Sequence, residues 1–489
     1  MSEGRPLELS GAAFEALVAK VAAACARAIE ALPAQHAAGC VGAQGVAEAL
    51  AVRWPIAESP MEGGIDAVLA RLERAFAASL ATAGPGYLAY VPGGGLPVAA
   101  VADLLAGVMN RYAGLSEAAP GPCALEDDVV RFLARAVGYG PESGGVLLSG
   151  GSLANFSSLV AAREAVLGAG ADLRAATIYT TSEAHHSVVK SARLAGIPPA
   201  NVRRVATDER LRMDPGDLAR AVADDRAAGR VPFCVVTSAG TTNTGAIDPL
   251  GDVADVAARE GLWHHVDGAY GGAFVLCAQG RARLAGIERA DSVTLDPHKG
   301  LFLPYGTGCL LVRDRETLLR AFSMGASYLQ DFNAAAEAIP SPGHLGPELS
   351  RPFRGLRLWL AFALHGAAAF RSALSEKLTL ARRLADGLRD LADRGVPVEL
   401  ADEPQLSVVP FRLARRPDQT LARANAENAA FLRAITARGR VFLSSTMLPG
   451  PDGPICTLRA CVLSFRTHAD RIDALCEDVA AAARAVGRA

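Results

Sequence analysis

Lys299 and Asp267 are the two residues of this sequence whose type and position point most directly to chemistry. Lys299 follows a short apolar run, 292–295, and Asp267 ends another apolar run 32 residues earlier. A lysine amine can form a Schiff base with an aldehyde cofactor, and a buried carboxylate can keep a heterocyclic nitrogen protonated. Taken alone, Lys299 could be an ordinary surface lysine, and Asp267 could cap a helix or pair with an arginine. Together they predict pyridoxal 5′-phosphate (PLP) chemistry.

Gly151 and Ser152 lie in a glycine-containing turn, 149–155, between an apolar run and a helical segment. Glycines let backbone N–H groups approach an anion, and a helix N-terminus carries about half a positive charge. The turn is therefore a candidate phosphate cradle. A tight strand-to-helix turn without a ligand is the structural alternative.

Two pairs of adjacent histidines accompany the apolar runs. His185 and His186 follow the run 177–180 and could be metal ligands, core residues or a group that stacks on a ring. His264 and His265 lie within one run, where neighbouring side chains point to opposite faces, so one of them is expected in the core or on the surface. A zinc site needs three or four ligands and the sequence has no HExxH motif, so we expect no metal.

The elements that must position these residues alternate along the middle of the chain. Short apolar runs separate alanine-rich helical segments between about residues 86 and 315, which predicts a mostly parallel sheet with helices on both faces. In such sheets ligands bind beyond the carboxyl ends of the strands, where Ser149, Asp267 and Asp296 are expected to lie. The predicted strands are 146–149, 177–180, 233–237, 262–266, 292–295 and 308–312.

The chain is too long for one compact core and divides into three predicted domains. They are an N-terminal helical arm at 1–85, a large α/β domain at 86–394 and a small α+β domain at 395–489. Within the arm, the periodicity of 10–31 predicts an amphipathic helix with Ser10 as its N-cap. Within the large domain, the stretch 325–350 is rich in glycine and proline, which predicts a lid or binding loop.

Composition excludes several classes of protein. The formal net charge of −2, with no basic block, argues against a nucleic-acid partner. Nine scattered cysteines without a CxxC pair indicate reduced thiols and a cytoplasmic location. Charged residues interrupt the apolar stretch near the N-terminus, so we expect neither a signal peptide nor a membrane span.

Taken together, these segments give the chain a family pattern. The sequence resembles the group II PLP-dependent amino-acid decarboxylases, which include the aromatic-L-amino-acid, histidine and glutamate decarboxylases, over roughly residues 60–470. Asp-Pro-His-Lys at 296–299 and the upstream Asp-x-Ala-Tyr-Gly are the most specific motifs. The segments that carry the resemblance are 86–94, 124–126, 149–155, 184–187, 239–242, 266–272, 296–299, 350–354 and 458–459.

The resemblance implies fold type I of the PLP enzymes, with a mostly parallel seven-stranded sheet. It also implies a homodimer with active sites at the interface and the arm packed on the partner subunit. The implied reaction is decarboxylation of an L-amino acid, aromatic or related, to the amine and CO2, through a Schiff base on Lys299. No membrane or nucleic acid would take part.

The resemblance further implies roles for individual residues. Asp267 would bind the pyridine nitrogen, His185 would stack on one face of the ring, and Ala269 would touch the other. Gly151, Ser152 and Asp296 would lie near the phosphate. The other residues expected to contact the cofactor are Thr241, His298 and Lys299, and those expected to contact the substrate are Tyr90 and Glu117.

Departures from the family pattern leave the step after CO2 loss open. Gly300 stands where the family usually has tryptophan, and Glu117 stands where the aromatic decarboxylases have a pocket tryptophan. The tyrosine thought to protonate the α-carbon aligns with Pro342, so His344 or Tyr328 would have to act as the acid. Without an acid the product would be an aldehyde, as in related aldehyde synthases. An aminotransferase and a non-catalytic PLP-fold binding protein are the further alternatives.

Overall fold

The computed structural model describes residues 7–39, 42–323 and 339–487. Three helices begin the chain: α1 (Gly11–Ala31), α2 (Gly42–Ala51) and α3 (Gly64–Ala77). Ser10 caps α1 as predicted, because its Oγ accepts a hydrogen bond from the N–H of Ala13 at 3.2 Å. No residue of α1 is buried within this chain.

A seven-stranded sheet forms the centre of the large domain. Its strands are β1 (Gly144–Leu148), β2 (Ala176–Thr181), β3 (Val202–Val205), β4 (Val231–Ser238), β5 (Trp263–Gly268), β6 (Ser292–Leu295) and β7 (Gly308–Val312). Their order is β1-β7-β6-β5-β4-β2-β3. β7 pairs antiparallel with both β1 and β6, and the other described strand pairs of this sheet are parallel. The prediction of a mostly parallel seven-stranded sheet is therefore confirmed.

Helices cover both faces of this sheet. Leu310 and Leu311 of β7 are adjacent and fully buried, yet they belong to two different apolar clusters. One cluster includes Leu133 and Phe274, and the other includes Leu159. The helices between residues 97 and 322 are α4 (Pro97–Met109), α5 (Pro120–Val137), α6 (Gly151–Val166), α7 (His186–Leu194), α8 (Pro215–Ala227), α9 (Leu250–Glu260), α10 (Ala278–Arg283), α11 (Pro297–Gly300) and α12 (Glu316–Phe322).

A long helix, α13 (Gly355–Asp393), leads from the large sheet to a smaller one. It is interrupted at Gly366, whose φ of 69° and ψ of 153° are not helical. The smaller sheet is antiparallel, with strand order β10-β11-β9-β8 and helices α14 (Leu421–Thr436) and α15 (Ala469–Ala485). Its strands are β8 (Val398–Leu400), β9 (Val408–Leu413), β10 (Ser444–Leu448) and β11 (Ile455–Cys461).

The predicted lid is only partly described. Residues 325–338 of it, Tyr328 among them, lie outside the described residues. Residues 339–350 contain one short 3-10 turn, Pro342–His344. Among the helices that the structure describes, none combines the length and the apolar character needed to cross a membrane.

Candidate active site

The carboxyl ends of the parallel strands surround a cavity of about 290 Å³. This is the edge at which open α/β sheets bind ligands, because loops and helix N-termini meet there. The residues from the sequence prediction that line the cavity are Gly151, Ser152, His185, Thr241, Asp267, Ala269, Asp296, His298 and Lys299. Tyr90, Glu117 and His344 do not line it.

Lys299 enters the cavity from the short helix α11, directly after β6. Its Nζ atom lies 3.0 Å from Oδ2 of Asp296, and the Asp296 side chain is 2% exposed. The other carboxylate oxygen, Oδ1, is buried and has no hydrogen-bond partner among the described residues. A buried carboxylate needs compensation, and the lysine ammonium supplies part of it.

Asp267 lies at the end of β5, with both carboxylate oxygens held in place. Oδ2 accepts a hydrogen bond from Nδ2 of Asn155 at 2.9 Å, and Oδ1 accepts one from the N–H of Ala269 at 3.1 Å. Asn155 lies on α6, so the carboxylate is fixed by a helix as well as by its own strand. Both donors are neutral, so neither forms an ion pair with the carboxylate.

His185 forms another wall of the cavity, at the N-cap of α7. Its Nδ1 accepts a hydrogen bond from the N–H of Ser187 at 3.3 Å and lies 2.8 Å from the Ser187 hydroxyl. Burial lowers the pKa of His185, and the neighbouring His186 and Lys299 lower it further, whereas Asp267 opposes them. A neutral imidazole in a fixed orientation is suited to stacking on a flat ring.

The N-terminus of α6 forms another part of the cavity lining. The first N–H groups of a helix have no partner within the helix, and the helix dipole makes this end positive. Gly151 is the first residue of α6, and a Cβ atom on it would lie 2.9 Å from Oδ2 of Asp296 and 3.0 Å from Cβ of Ala269. The close approach requires glycine here and leaves backbone N–H groups open to an anion.

Thr241 and His298 are held by backbone groups at the cavity edge. The Thr241 hydroxyl accepts a hydrogen bond from the N–H of Ala246 at 3.1 Å. His298 places Nδ1 2.7 Å from the carbonyl oxygen of Thr307, and so donates to it. Burial lowers the pKa of His298, which favours the neutral ring.

Three predicted residues lie apart from the cavity. The side chain of Tyr90 is 56% exposed and its backbone has a φ of 52°. The Glu117 carboxylate accepts hydrogen bonds from the hydroxyls of Ser341 at 3.2 Å and Ser116 at 3.4 Å. His344 ends the 3-10 turn that follows Ser341. Their assignment to substrate binding or acid catalysis stays a prediction.

Comparison with protein families decides what kind of site this is. The model of the pyridoxal-dependent decarboxylase conserved domain matches residues 56–414. The chain belongs to the pyridoxal-dependent decarboxylase family. It is a PLP-dependent amino-acid decarboxylase, a carboxy-lyase of the group II type that the sequence motifs indicated.

Individual relatives agree with this assignment. The decarboxylase is 36% identical over 402 residues to the aromatic-L-amino-acid decarboxylase of Bacillus atrophaeus, covering 81% of this chain and 82% of that one. It is 29% identical over 388 residues to the phenylacetaldehyde synthase of Arabidopsis thaliana, covering 77% and 78%. The crystal structure of Oryza sativa TDC with PLP and tryptamine matches with a TM-score of 0.88 at 26% identity, covering 98% of this chain and 99% of that one.

The cavity of this decarboxylase fits PLP by its own chemistry. The α6 N-terminus suits a phosphate, the Asp267 carboxylate suits a protonated ring nitrogen, and Lys299 supplies an amine for the aldehyde. Gly151 has only a hydrogen atom where other residues have a Cβ atom. A Cβ atom there would crowd the end of the cavity next to the α6 N-terminus, which suits an anion.

Sequence reasoning missed residues that hold the side chains of this site in place. Asn155 and Ser187 lie within the motifs but were given no role, and for His264 and His265 the sequence indicated only that one of the two would be in the core or on the surface. The sequence feature that could have indicated them is a polar side chain on an otherwise apolar, buried helix or strand, because such a side chain requires a hydrogen-bond partner.

Proposed function

We propose that this decarboxylase acts on an L-amino acid with an aromatic side chain and forms its Schiff base through Lys299. The observation that carries the residue assignment is the meeting of Lys299, Asp267 and His185 in one cavity with the α6 N-terminus. When bound, PLP supplies a conjugated ring that accepts the electron pair left by departing CO2.

The protein residues would then act by position and charge. Lys299 would provide the amine that attaches the cofactor, and Asp267 would hold a proton at the ring nitrogen. The neutral ring of His185 covers one face of the cavity, and Ala269 lies against the other. Gly151 and Ser152 present backbone N–H groups to the phosphate, with Thr241, Asp296 and His298 completing the contact surface.

Relatives support the aromatic side chain of the substrate. The aromatic-L-amino-acid decarboxylase of Bacillus atrophaeus and the Oryza sativa TDC structure with tryptamine both concern aromatic compounds. Tyr90 and Glu117 are proposed to contact this side chain. Because Glu117 is acidic, a ring that carries a hydrogen-bond donor is favoured over a purely apolar one.

Release of CO2 from a panel of L-amino acids tests the proposal. We expect turnover with aromatic substrates, and loss of turnover by at least about 10³-fold in Lys299→Ala, because the covalent step is removed. Lys299→Arg is the matched control, since it retains a cation beside Asp296 but cannot form the Schiff base. An unchanged visible spectrum of bound PLP in Lys299→Ala would contradict the lysine assignment.

A second candidate reaction is oxidative decarboxylation to an aldehyde. It is favoured by Pro342 at the position of the family tyrosine and by the similarity to a phenylacetaldehyde synthase. An amino acid, O2 and water would give the aldehyde, CO2, ammonia and H2O2. Equal yields of amine and CO2 would exclude it, whereas peroxide and ammonia in step with CO2 would establish it. If His344 supplies the acid, His344→Gln would raise the peroxide yield.

We further propose that the protein is a homodimer in the cytoplasm. Residues 1–85 would form a helical arm on the partner subunit, residues 86–394 the cofactor domain and residues 395–489 the small domain. Exposed apolar side chains on α1, α3 and α4 support this arrangement, because isolated surfaces rarely expose so many. They include Val21, Leu72, Phe76, Leu104 and Met109. Sedimentation of the full chain tests it, and a monomer that retains full activity would contradict active sites at the interface.

A further inference from the structure

A series of buried side chains connects the interior of the sheet to Asp267. Nε1 of Trp263 donates a hydrogen bond to Oγ of Ser292 at 2.8 Å, and this oxygen lies 2.8 Å from Nδ1 of His265. Nε2 of His265 lies 3.1 Å from Oδ1 of Asn155. Nδ2 of Asn155 then donates to Asp267 at 2.9 Å. These four side chains, Trp263, Ser292, His265 and Asn155, are called the support chain below.

The contacts of Asn155 determine which way its amide points. Nδ2 faces two acceptors, Oδ2 of Asp267 and the Ser187 hydroxyl at 3.1 Å. The reversed amide would place its oxygen against the carboxylate, which is repulsive. With Nδ2 toward Asp267, Oδ1 needs a donor, and Nε2 of His265 is the group that faces it.

The protonation of His265 follows from its burial. The ring is fully buried, and burial lowers its pKa to about 4, although Asp267 opposes the shift. The neutral ring carries one proton, and Asn155 requires that proton on Nε2. Nδ1 is then an acceptor for the Ser292 hydroxyl, whose oxygen in turn accepts from Trp263, a residue that can only donate. Every hydrogen bond of the support chain therefore runs in one direction, toward Asp267.

The support chain reaches only one of the two carboxylate oxygens. Oδ1 of Asp267 is held separately by the N–H of Ala269 at 3.1 Å. The carboxylate is thus fixed at two points by neutral donors, and neither of them is a cation that would share its charge. A carboxylate held in this way is preorganised to hold a proton on a ring nitrogen in the cavity.

We infer that Asn155, His265 and Ser292 are positioning residues that orient Asp267 toward the ring nitrogen of PLP, and that the support chain sets how strongly this nitrogen is protonated. The inference rests on the proposed role of Asp267. His265 and Ser292 lie behind Asn155 and do not line the cavity, whereas Asn155 lines it and acts on the ring nitrogen through Asp267.

The test uses the full-length protein reconstituted with PLP that carries ¹⁵N in the ring. Asn155→Ala removes the donor to Asp267, and His265→Phe removes the donor to Asn155. Ser292→Ala removes the hydroxyl that joins Trp263 to His265, with the smallest change in volume. His264→Phe is the matched control, because His264 is a neighbouring, equally buried histidine of β5 whose Nε2 contacts Thr237 instead of the support chain. The measurements are the ¹⁵N resonance of the ring nitrogen, its change with pH, and the PLP dissociation constant.

We expect Asn155→Ala and His265→Phe to shift the ring-nitrogen resonance toward the unprotonated form and to weaken PLP binding about tenfold or more, as loss of a hydrogen bond to a charged group predicts. Ser292→Ala should shift the resonance in the same direction by a smaller amount, and His264→Phe should leave it in place. If Ser292→Ala lowers the melting temperature but leaves the resonance at its wild-type position, the inference is overturned, even where the other two variants fail to fold.

One further variant separates this inference from the proposed function. Asp267→Asn should shift the ring-nitrogen resonance more than any change in the support chain. If Asp267→Asn shifts it and the support-chain variants do not, the positioning role fails while the role of Asp267 stands. If Asp267→Asn leaves it unchanged, the assignment of Asp267 itself fails, and the inference falls with it.

Discussion

A Cβ atom placed on Gly300 would lie 2.4 Å from Cβ of Ala273. Gly300 is buried, directly after Lys299, and Ala273 belongs to the 3-10 segment Gly272–Leu276 that follows β5. The family usually has tryptophan after the lysine, and here the Cβ of Ala273 occupies the space that a side chain at position 300 would enter. Gly300, which departs from the family motif, is therefore packed against a second segment of the cofactor domain.

Replacement of Gly300 by alanine tests this packing. Overfilling a well-packed interior typically costs about 1–3 kcal/mol, so Gly300→Ala should lower the melting temperature and weaken PLP retention at the adjacent Lys299. The double variant Gly300→Ala with Ala273→Gly should recover most of both losses, because it removes the opposing methyl group. Equal loss in the single and double variants would show that the contact with Ala273 is not the cause.

Gly151→Ala should weaken PLP binding. The new methyl group would lie 2.9 Å from Oδ2 of Asp296 and would occupy the anion end of the cavity. We expect at least about a tenfold increase in the PLP dissociation constant, since the phosphate loses close contact with backbone N–H groups. Gly251→Ala is the control, because a Cβ there meets no atom within 4 Å at the start of α9. Unchanged PLP affinity in Gly151→Ala would place the phosphate elsewhere.

The sequence predicted the residues at strand ends well, because parallel strands bring their carboxyl ends to one edge whatever their spacing in the chain. Asp267 and Lys299 are 32 residues apart and line one cavity for this reason. Asn155 could not be assigned in the same way, because its role depends on how α6 docks on β5. The short strand β3, Val202–Val205, was also missed, since its two central residues are arginines and give no apolar run.

Residues on loops were the weakest part of the prediction. Tyr90, Glu117 and His344 come from connections whose path is set by tertiary packing and not by local periodicity. The backbone N–H of Tyr90 donates to Ser444 Oγ, the Glu117 carboxylate accepts from Ser341 Oγ, and the backbone N–H of His344 donates to the Ser341 carbonyl oxygen. A motif supplied their expected roles, but no pattern in the sequence could specify their distance from Lys299.

Glu126 and Arg351 form a buried ion pair that we expect to be essential for stability. The Oε1–Nη2 distance is 2.6 Å, and the side chains are 3% and 1% exposed. Oε2 of Glu126 also accepts the N–H of Gly355, and Arg351 donates to the carbonyl oxygen of Leu147 at 2.8 Å. The pair thereby joins α5 to the chain before α13 and to the end of β1.

Removal of one partner leaves the other charge buried and unpaired, which costs about 3–5 kcal/mol. Glu126→Gln and Arg351→Met should each lower the free energy of unfolding by roughly this amount in urea titrations. The double variant should cost less than the sum of the single changes, because neither charge is then left alone. Additive losses would show that the two side chains act independently.

The histidines of β5 should make the protein sensitive to acid. Burial lowers the pKa of His264 to about 3 and that of His265 to about 4, whereas histidine in an unfolded chain titrates near 6.5. Between these values the unfolded chain binds more protons than the folded one, so the free energy of unfolding falls as pH falls. The stabilisation is fully present above about pH 6.5 and is lost progressively below it, by up to about 1.4 kcal/mol per pH unit for each histidine.

His264→Phe removes the contribution of one of the two histidines to this acid sensitivity. Nδ1 of His264 is buried without a hydrogen-bond partner among the described residues, so phenylalanine at this position sacrifices only the contact of Nε2 with Thr237. Thermal unfolding between pH 7.5 and pH 4.5 should show a smaller loss of melting temperature on acidification in His264→Phe than in the wild-type protein. His365 is exposed, so His365→Gln serves as the control and should follow the wild-type curve. Parallel curves for His264→Phe and wild type would mean that acid acts through other groups, because a buried neutral histidine must be protonated on unfolding and its removal must flatten the pH dependence.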